Sequence, residues 1–555
     1  MGCIKAGDVK PPGMGTTRTT TSGGGTTTTT SRGGTTTTTS RGGTTTTTSG
    51  GGTTTTTSGG GTTTTTLGGG TTTTTSGGGT TTTIVVTCNI EIEHSPQTNV
   101  CTIGGIFPHI SVEFRPNQNY LGKFGFDWLH LADNSLTPSE ADVLYTDNMG
   151  YYNEPDGTKN RTTRSSSFYT GSFISDSLKS TQLANYFESL DTMNAMTTMK
   201  TNMQSDFPDY KYRMPVITLM PKDATKNPHN VGVEGALDII VKTGSVPALS
   251  LKLKVRSSYD ERILKEAFTF STNNLPLSSS KNVLKICSKG ILIQDVIVYV
   301  YTEKCHMPCG AFKLLANINV RKINMVLMGV TTALNPRNPQ TGVANIDNMT
   351  EVRTLLAQAL ISVDKVIDTN FDGTPLTLDM TTTLTRRHTL PSVPEVRNSL
   401  GVITTPRIVA EPTVFDWAEI SNIFNLLETQ YQNSIETIYD STRGSLVSGD
   451  AFRFYFLPNK CKSRTIRSGI KGGGAIGTSK TAYFKTRNPL TRAVTIVHEI
   501  GHNMGLTHTF NYDIGHGNSY TYRYKSTTNI MDYSAPSIKN VFYHWQWKIM
   551  NGRIS

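Results

Sequence analysis

The most informative segment of the C-terminal region is His498-Glu-Ile-Gly-His-Asn-Met-Gly-Leu-Thr-His508. Its spacing predicts a helix on which His498 and His502, four residues apart, share one face and reach one metal ion. Gly505 allows the chain to leave that helix through left-handed backbone angles. The turn then brings His508 round as a third ligand. Three protein ligands with an open position are typical of a catalytic zinc site rather than a structural one.

The residues around these histidines support a helix over 491–505. Apolar residues follow helical spacing at Ala493, Val494, Ile496, Val497, Ile500 and Met504. Glu499 comes directly after the first ligand and is placed to take a proton from a metal-bound water. The alternative is that the histidines are ordinary helix residues. The fixed offsets of Gly505 and His508 disfavour it, because an isolated pair of histidines is a much weaker signal.

A second motif lies downstream, Asn529-Ile-Met-Asp-Tyr-Ser534. Together with 498–508 it resembles the metzincin clan of zinc metallopeptidases, and the resemblance covers residues 494–534. Within the clan, Gly501–Phe510 and Ile530–Tyr533 are most similar to the pappalysin and cytophagalysin-like group. The resemblance implies that Met531 forms the methionine turn that lies beneath the zinc and supports its ligands.

The resemblance also implies an activity and a role for Tyr533. In related families a tyrosine at this offset reaches the zinc or the developing oxyanion, while the alternative here is a tyrosine packed in the core. The implied enzyme is an endopeptidase that uses Zn²⁺ and acts on protein or peptide substrates, with Glu499 as general base. The cysteines that often flank the motif in pappalysin-like enzymes are missing from this sequence.

Composition limits the other functional classes. A chain of 555 residues is long enough for several domains. Its net charge of +11 is mild, and it has no compact run of Lys and Arg with interleaved aromatics, so nucleic acid is not an expected partner. The longest apolar run, Gly290–Tyr301, is too short to cross a bilayer, so we expect no transmembrane segment. Seven cysteines are too few for a disulfide scaffold.

Residues 1–83 are predicted to be a disordered leader. Within 16–83 a nine-residue repeat alternates runs of threonine with glycine-rich triplets, and it has almost nothing apolar to bury. A flexible tether, an O-glycosylated stalk, a regular β-stack of threonine ladders and a spacer expanded by slippage are all open. The start Met1-Gly2-Cys3 suggests lipid anchoring through Gly2 and Cys3, although Ala6 stands where that motif has Ser or Thr.

Residues 84–312 are predicted to form a β-rich accessory or targeting domain. Alternating or aliphatic runs predict strands at 90–93, 110–114, 214–220, 249–255 and 291–301, and a helix is expected at 181–193. The phrase Tyr120–Leu129 resembles a segment in N-terminal domains of bacterial secreted or injected effectors. That resemblance implies a secretion or injection machinery as partner and an extracellular location. The alternative is an aromatic-rich strand in a β-sandwich core.

Residues 313–555 are predicted to be a separate α/β (α+β) catalytic domain with a mixed sheet. Strands are expected at 323–330 and 452–457, and helices at 416–431 and 541–550. Asn348 with Glu351 predicts an N-cap. The helix that starts there keeps helical spacing of its apolar residues as far as Ile367 and is expected to end at 370–373.

Two further segments have possible roles at the site. Gly474–Phe484 is predicted to be the edge strand that pairs with an extended peptide. Cys305-His-Met-Pro-Cys-Gly310 is open to three interpretations: a local disulfide or ordinary thiols, a small second metal site, or a latency switch in which the Cys309 thiolate caps the zinc.

The sequence therefore favours a secreted or delivered zinc endopeptidase, a protease or toxin. Two alternatives stay open. One is a surface adhesive or structural protein whose zinc domain is not catalytic, and the other is a zinc-dependent binding module without turnover. The intact ligand set with Glu499 and Met531 argues against both.

Overall fold

The structure is a computed structural model of the chain. It describes the eight strands between 18 and 85 given below, together with residues 91–92, 110–117, 120–127, 151–152, 172–173, 214–243, 251–255, 257–272, 274–275, 282–302, 308–344, 346–370, 372–385, 388–392, 395–401, 403–405, 410–416, 419–436, 451–462, 469–470, 472–474, 481–485, 492–509, 522, 527–533 and 539–554.

Each threonine run of the repeat is a strand. The strands are β1 (Arg18–Ser22), β2 (Thr26–Ser31), β3 (Thr35–Ser40), β4 (Thr44–Ser49), β5 (Thr53–Ser58), β6 (Thr62–Leu67), β7 (Thr71–Ser76) and β8 (Thr81–Val85). Odd-numbered strands pair in parallel in one sheet and even-numbered strands in a second. The glycine triplets lie outside the described residues, and the disordered leader stays a prediction.

The β-rich region is built from two sheets. Its strands are β9 (Glu91–Ile92), β10 (Ile110–Pro116), β11 (Gly125–Asp127), β12 (Tyr151–Tyr152), β13 (Ser172–Phe173), β14 (Val216–Thr218), β15 (Glu234–Thr243), β16 (Leu251–Val255), β17 (Phe268–Phe270), β18 (Asn274–Leu275), β19 (Asn282–Ser288), β20 (Val296–Thr302) and β21 (Pro308–Leu314). One sheet has the order β10-β15-β19-β17, and the other β11-β14-β21-β20-β16-β18 with β9 beside β16. Strands β12 and β13 pair separately.

The two sheets share one apolar core, to which Val112, Phe114, Phe126, Leu253 and Val298 contribute. Within the phrase Tyr120–Leu129, the rings of Tyr120, Phe124 and Phe126 contact one another edge to face at this core. The predicted boundary at 312/313 falls inside β21, and the division into domains stays a prediction. The expected helix at 181–193 lies outside the described residues.

The C-terminal region contains the remaining strands. They are β22 (Arg321–Thr332), β23 (Gln340–Thr341), β24 (Ile361–Ile367), β25 (Thr377–Asp379), β26 (Thr389–Leu390), β27 (Val396–Arg397), β28 (Ile403–Thr405), β29 (Glu411–Asp416), β30 (Ala451–Leu457), β31 (Lys460–Lys462), β32 (Gly469–Ile470), β33 (Gly472–Gly474) and β34 (Thr481–Lys485). The main sheet has the order β23-β22-β30-β34-β33, with β24 and β25 also beside β22. It is mixed, as predicted, because β33 runs antiparallel to β34 while β22, β30 and β34 are parallel.

The described helices are α1 (Ser258–Ala267), α2 (Met349–Ala357), α3 (Ile420–Tyr431), α4 (Ala493–Asn503) and α5 (His544–Asn551), and one π-helical turn follows α3 at Gln432–Glu436. Helix α1 belongs to the β-rich region. None of these helices has both the length and the apolar character that a membrane crossing requires.

Helix α2 starts as predicted and ends earlier than predicted. The Asn348 side chain accepts a hydrogen bond from Glu351 N at 3.0 Å, so the expected N-cap is confirmed. The expected continuation to Ile367 is wrong, because Leu360 has a φ of 52° and residues 361–367 form β24. Ile361, Val363, Val366 and Ile367 are β-branched, and such side chains favour strands over helices.

The main sheet lies between two layers of helices. Alternate side chains of a strand point to opposite faces, so Met325 of β22 packs towards α2 and α4 while Met328 packs towards α3. Helix α5 also contributes Trp547 to the first of these cores. This arrangement places α4 against the sheet over β33 and β34.

Candidate metal centre

Helix α4 carries the histidine pair and is fixed at its start by another segment. Asp347 Oδ1 accepts a hydrogen bond from Ala493 N at 2.8 Å. This carboxylate satisfies one of the amide groups that a helix leaves unpaired at its N-terminus. Residues 493–503 lie within the predicted helix, and the apolar side chains expected to face the core are buried.

Helix α4 ends in a Schellman motif at Gly505. This glycine has a φ of 98°, which L side chains rarely adopt. Gly505 N donates to His502 O at 3.0 Å, and Leu506 N donates to Gly501 O at 2.9 Å, which is the hydrogen-bond pattern of that motif. The left-handed turn predicted from the sequence is therefore confirmed. It sends the chain back towards the helix at His508.

The three histidines converge as predicted. One nitrogen from each of His498, His502 and His508 lies within 4.8 Å of the others, and they are the only His, Cys, Asp and Glu group of three found among the described residues. His498 Nδ1 lies 2.7 Å from Ile530 O, and His502 Nδ1 lies 2.8 Å from Leu506 O. Since a carbonyl only accepts, each Nδ1 is the donor and each Nε2 keeps its lone pair for a metal.

Burial keeps these histidines neutral. Loss of solvation lowers the pKa of His502 to about 4 and lowers the pKa of His498 and of His508 well below the usual value. Neutral imidazole is the form that binds a metal. Three neutral nitrogens that converge on one point are a donor set suited to zinc.

Glu499 lies in the same buried layer, with 6 % of its surface exposed. Its Oε2 has no hydrogen-bond partner among the described residues. Burial raises the pKa of Glu499 to about 8, while the nearby charge of Lys539 acts in the opposite direction. A buried carboxyl oxygen that accepts no hydrogen bond is unfavourable for folding, and this indicates a functional group.

Met531, the predicted methionine-turn residue, packs directly against helix α4. It is fully buried, and a Cβ built on Gly501 would lie only 2.6 Å from its Sδ. The absence of a side chain at Gly501 therefore allows the turn to approach the helix at the level of the second histidine. The same turn supplies Ile530 O to His498, so it orients one ligand as well as supporting the helix.

A buried amide pair that the sequence did not single out holds this turn. Met531 N donates to Asn529 Oδ1 at 2.8 Å. Asn529 Nδ2 donates to Gln546 Oε1 at 2.7 Å, and the same oxygen accepts from Tyr543 N at 2.8 Å. Because Asn529 and Gln546 are 17 residues apart, no local spacing reveals the pair. It connects the methionine turn to helix α5.

Tyr533 lies at the open side of the cluster. Its ring centroid is 4.4 Å from that of His508 and 6.0 Å from that of His498. The side chain is 38 % exposed, which places it at the surface of the site rather than in the core. Asp532, which precedes it, is buried and accepts hydrogen bonds from Thr527 N at 2.9 Å and Tyr533 N at 2.6 Å.

The structure corrects one expectation about the sheet edge. Within the predicted segment Gly474–Phe484, strand β34 lies between β30 and β33, so it is not the edge. The edge beside helix α4 is the antiparallel strand β33, and the chain between β33 and β34 lies outside the described residues. Glycines at 472–474 leave that edge without side chains, so another strand has room to approach.

Cys309 lies away from the histidines. It is buried in the core of the β-rich region, where its Sγ donates to Val300 O at 3.4 Å. Burial raises the pKa of the thiol, which disfavours the thiolate that a latency switch needs. This position is that of an ordinary core thiol. Cys305 and His306, the other residues of the suggested second metal site, lie outside the described residues.

Comparison with known families agrees with this geometry. The model of the reprolysin-like metallo-peptidase family M12B matches residues 424–554, which contain α4, all three histidines and Met531. Metallopeptidases of this family belong to the metzincin clan and use zinc, so the clan predicted for this region is supported. No curated protein and no solved structure matches the chain. The pappalysin-like subgroup and the effector resemblance stay predictions.

Proposed function

We propose that the protein is a zinc-dependent endopeptidase in which Glu499 is the general base. The observation that supports this most strongly is the combination of three converging neutral imidazoles with a buried carboxyl whose Oε2 accepts no hydrogen bond among the described residues. His498, His502 and His508 hold the metal. When bound there, zinc supplies Lewis acidity, which lowers the pKa of a coordinated water towards about 7 and polarises a carbonyl.

The residues of the chain then have separate roles. Glu499 removes a proton from the attacking water and passes it to the leaving amine. The Tyr533 hydroxyl donates a hydrogen bond to the developing oxyanion. Strand β33 pairs with the extended substrate and holds its scissile bond over the histidines. Met531 and Ile530 keep the ligands in place without contacting substrate.

We also propose that the enzyme acts outside the cell that makes it, as a secreted or delivered protease or toxin. The effector-like phrase Tyr120–Leu129 and the threonine-rich repeat, which suits an extended tether or stalk, support this proposal. A secretion or injection machinery is the corresponding partner of the N-terminal region. Lipid anchoring at Gly2 and Cys3 is the alternative attachment, and mass spectrometry of the intact N-terminus distinguishes the two.

The direct test is Glu499→Ala in the full chain, loaded with zinc and incubated with a proteome-derived peptide library. We expect cleavage to fall to background while zinc content, measured by mass spectrometry of the metal, stays at one ion per chain. Tyr533→Phe is the comparison variant and should slow turnover much less. Cleavage at the wild-type rate by Glu499→Ala would contradict the general-base role.

The alternatives give different results in the same experiment. A non-catalytic zinc domain of an adhesive protein, or a binding module without turnover, would hold zinc in the wild type and cleave no peptide of the library. Loss of zinc from Glu499→Ala would instead indicate that this residue supports the metal site. The library also gives the residues preferred on each side of the scissile bond.

A further inference from the structure

A lysine side chain, Lys539, lies beside the metal centre and has no role in the proposed mechanism. Lys539 lies eight residues after Met531 in the sequence. Its Nζ donates to Asp532 O at 3.1 Å, so the ammonium group is fixed at the residue between Met531 and Tyr533. Most of its surface is shielded from water, and burial lowers its pKa. Lysine rarely takes such a position without a partner of opposite charge.

The charge of Lys539 acts on the whole site. It lowers the pKa of each of the three histidines, which is the effect of a like charge, and it lowers the pKa of Glu499, which is the effect of an opposite charge. Interaction between charges weakens with distance. The geometry agrees, because the ammonium group lies at the carbonyl of Asp532 and the ring of the next residue, Tyr533, is 4.4 Å from that of His508.

No carboxylate of the described residues forms an ion pair with this ammonium group. Two acidic residues, Asp532 and Glu499, interact electrostatically with Lys539. Each of them already has another partner or role. The Asp532 carboxylate accepts from Thr527 and Tyr533, and Glu499 faces the reacting water in the proposed mechanism. Among the described residues, Lys539 Nζ donates to a neutral carbonyl alone, that of Asp532, so two of its three N–H donors can bind another group.

We propose that Lys539 is a specificity-determining residue that binds a carboxylate of the substrate next to the scissile bond. This rests on the proposed peptidase function. The carboxylate belongs to an Asp or Glu side chain or to a free C-terminus, since both offer two acceptor oxygens. Charge-assisted hydrogen bonds to such a group satisfy the remaining donors and neutralise the partly buried ammonium group.

Binding without turnover tests this inference in the zinc-loaded Glu499→Ala chain. The probes are labelled library peptides selected for binding to this chain, whether or not the wild type cleaves them. The members of each pair differ in one group, Asp against Asn at each position, or a free against an amidated C-terminus. We expect the acidic member of one pair to bind about tenfold more tightly, as for a charge-assisted contact. Fluorescence anisotropy gives the two dissociation constants, and the pair that responds identifies the source of the carboxylate.

Variants at Lys539 connect that preference to one side chain. Lys539→Met should abolish the preference, and Lys539→Arg, which keeps the charge, should retain most of it. Lys548→Met is the matched control, because Lys548 is also partly buried with a lowered pKa but its charge acts on Lys313 and Asp295. This control should keep the full preference.

Two outcomes overturn the inference. One is equal binding of the acidic and neutral members of every pair. The other is a preference that survives Lys539→Met. Failure of the proposed function is separate from both: a zinc-loaded wild type that prefers the acidic peptides but cleaves none would remove the peptidase activity and leave the carboxylate site. A wild type that cleaves the peptides without any such preference would support the peptidase activity and rule out the carboxylate site.

Discussion

At the scale of single residues, the unusual group is Glu499. It is buried beside three neutral histidines, and burial raises its pKa to about 8. A carboxyl with that pKa is protonated at pH 7 and cannot act as a base. A bound dication favours the charged form of a neighbouring carboxyl and so lowers its pKa. Metal binding and ionisation of the base are therefore coupled.

This coupling predicts a proton count. Zinc binding at pH 7 should release about one proton, because Glu499 is protonated before binding and ionised after it. The histidines contribute little, since their pKa values are already well below 7. The apparent zinc affinity should therefore rise as the pH approaches 8 and become nearly constant above it. Calorimetry in buffers of different ionisation enthalpy measures the number of protons released.

Glu499→Gln is the control for this count, because its amide cannot titrate and occupies nearly the same volume. It should release about one proton fewer than the wild type at pH 7 and show a smaller rise in affinity towards pH 8, because ionisation of a metal-coordinated water is then the main remaining source. An equal release from the wild type and from Glu499→Gln would show that the proton comes from another group.

At the scale of elements, the contact between helix α4 and the methionine turn depends on the glycine at position 501. A Cβ at Gly501 would lie 2.6 Å from Met531 Sδ and 3.5 Å from the Leu506 side chain. Gly501→Val should force Met531 away from the helix. Overpacking of this kind costs about 1–3 kcal/mol of unfolding free energy, and we expect weaker zinc binding as well because Ile530 O moves with the turn.

Thermal denaturation with and without zinc, followed by titration with a competing chelator, measures both effects. Gly290→Val is the matched control, since the nearest atom to a Cβ there is Glu266 O at 3.5 Å, an ordinary contact. That variant should leave the zinc affinity at the wild-type value. A Gly501→Val chain with wild-type zinc affinity would show that the turn does not position the ligands.

The same elements show what the sequence can predict. Helix α4, its Gly505 turn and the three ligands were predictable because they depend on spacing within eleven residues. The extension of α2 to Ile367 was wrong because helical spacing over 352–367 is also satisfied by two shorter elements joined at Leu360. Asn529 with Gln546, and Lys539 beside Asp532, were not predictable, because tertiary packing brings each pair together across a turn or a loop.

At the scale of the whole molecule, the β-rich region packs directly on the C-terminal region. Thr218 Oγ1 of β14 donates to Gln358 O at 2.6 Å. Gln358 in turn accepts from Phe542 N at 3.1 Å and donates to Asn540 O at 2.9 Å. A Cβ at Gly125 would lie 3.0 Å from the Trp547 ring, so β11 lies against helix α5. Contacts this close indicate that the β-rich region stabilises the segment that leads into α5.

Asp127 is the residue through which this packing reaches the metal centre. Its buried carboxylate accepts from His544 N at 2.6 Å, at the first residue of α5. A negative charge at a helix N-terminus is favourable. Two residues further along the same helix, Gln546 binds Asn529 and thereby fixes the turn that contains Met531. A short series of buried hydrogen bonds therefore connects the β-rich region to the histidines.

Asp127→Ala should accordingly weaken zinc binding as well as lower the melting temperature, because α5 loses its cap and Gln546 is held less firmly. Changes in groups that orient metal ligands commonly cost about 10–100-fold in metal affinity. Asp127 acts on the ligands only through Gln546 and Asn529, so we expect the low end of that range. Asp127→Asn keeps an acceptor and should restore most of the affinity. Asp238→Ala is the control, since it also removes a carboxylate acceptor, here the partly buried partner of Asn117 Nδ2 at 2.6 Å, on strand β15 of the other sheet. Chelator competition, run below the melting temperature of both variants, measures the two zinc affinities. Equal affinities in Asp127→Ala and Asp238→Ala would show that the β-rich region stabilises the fold without affecting the metal site.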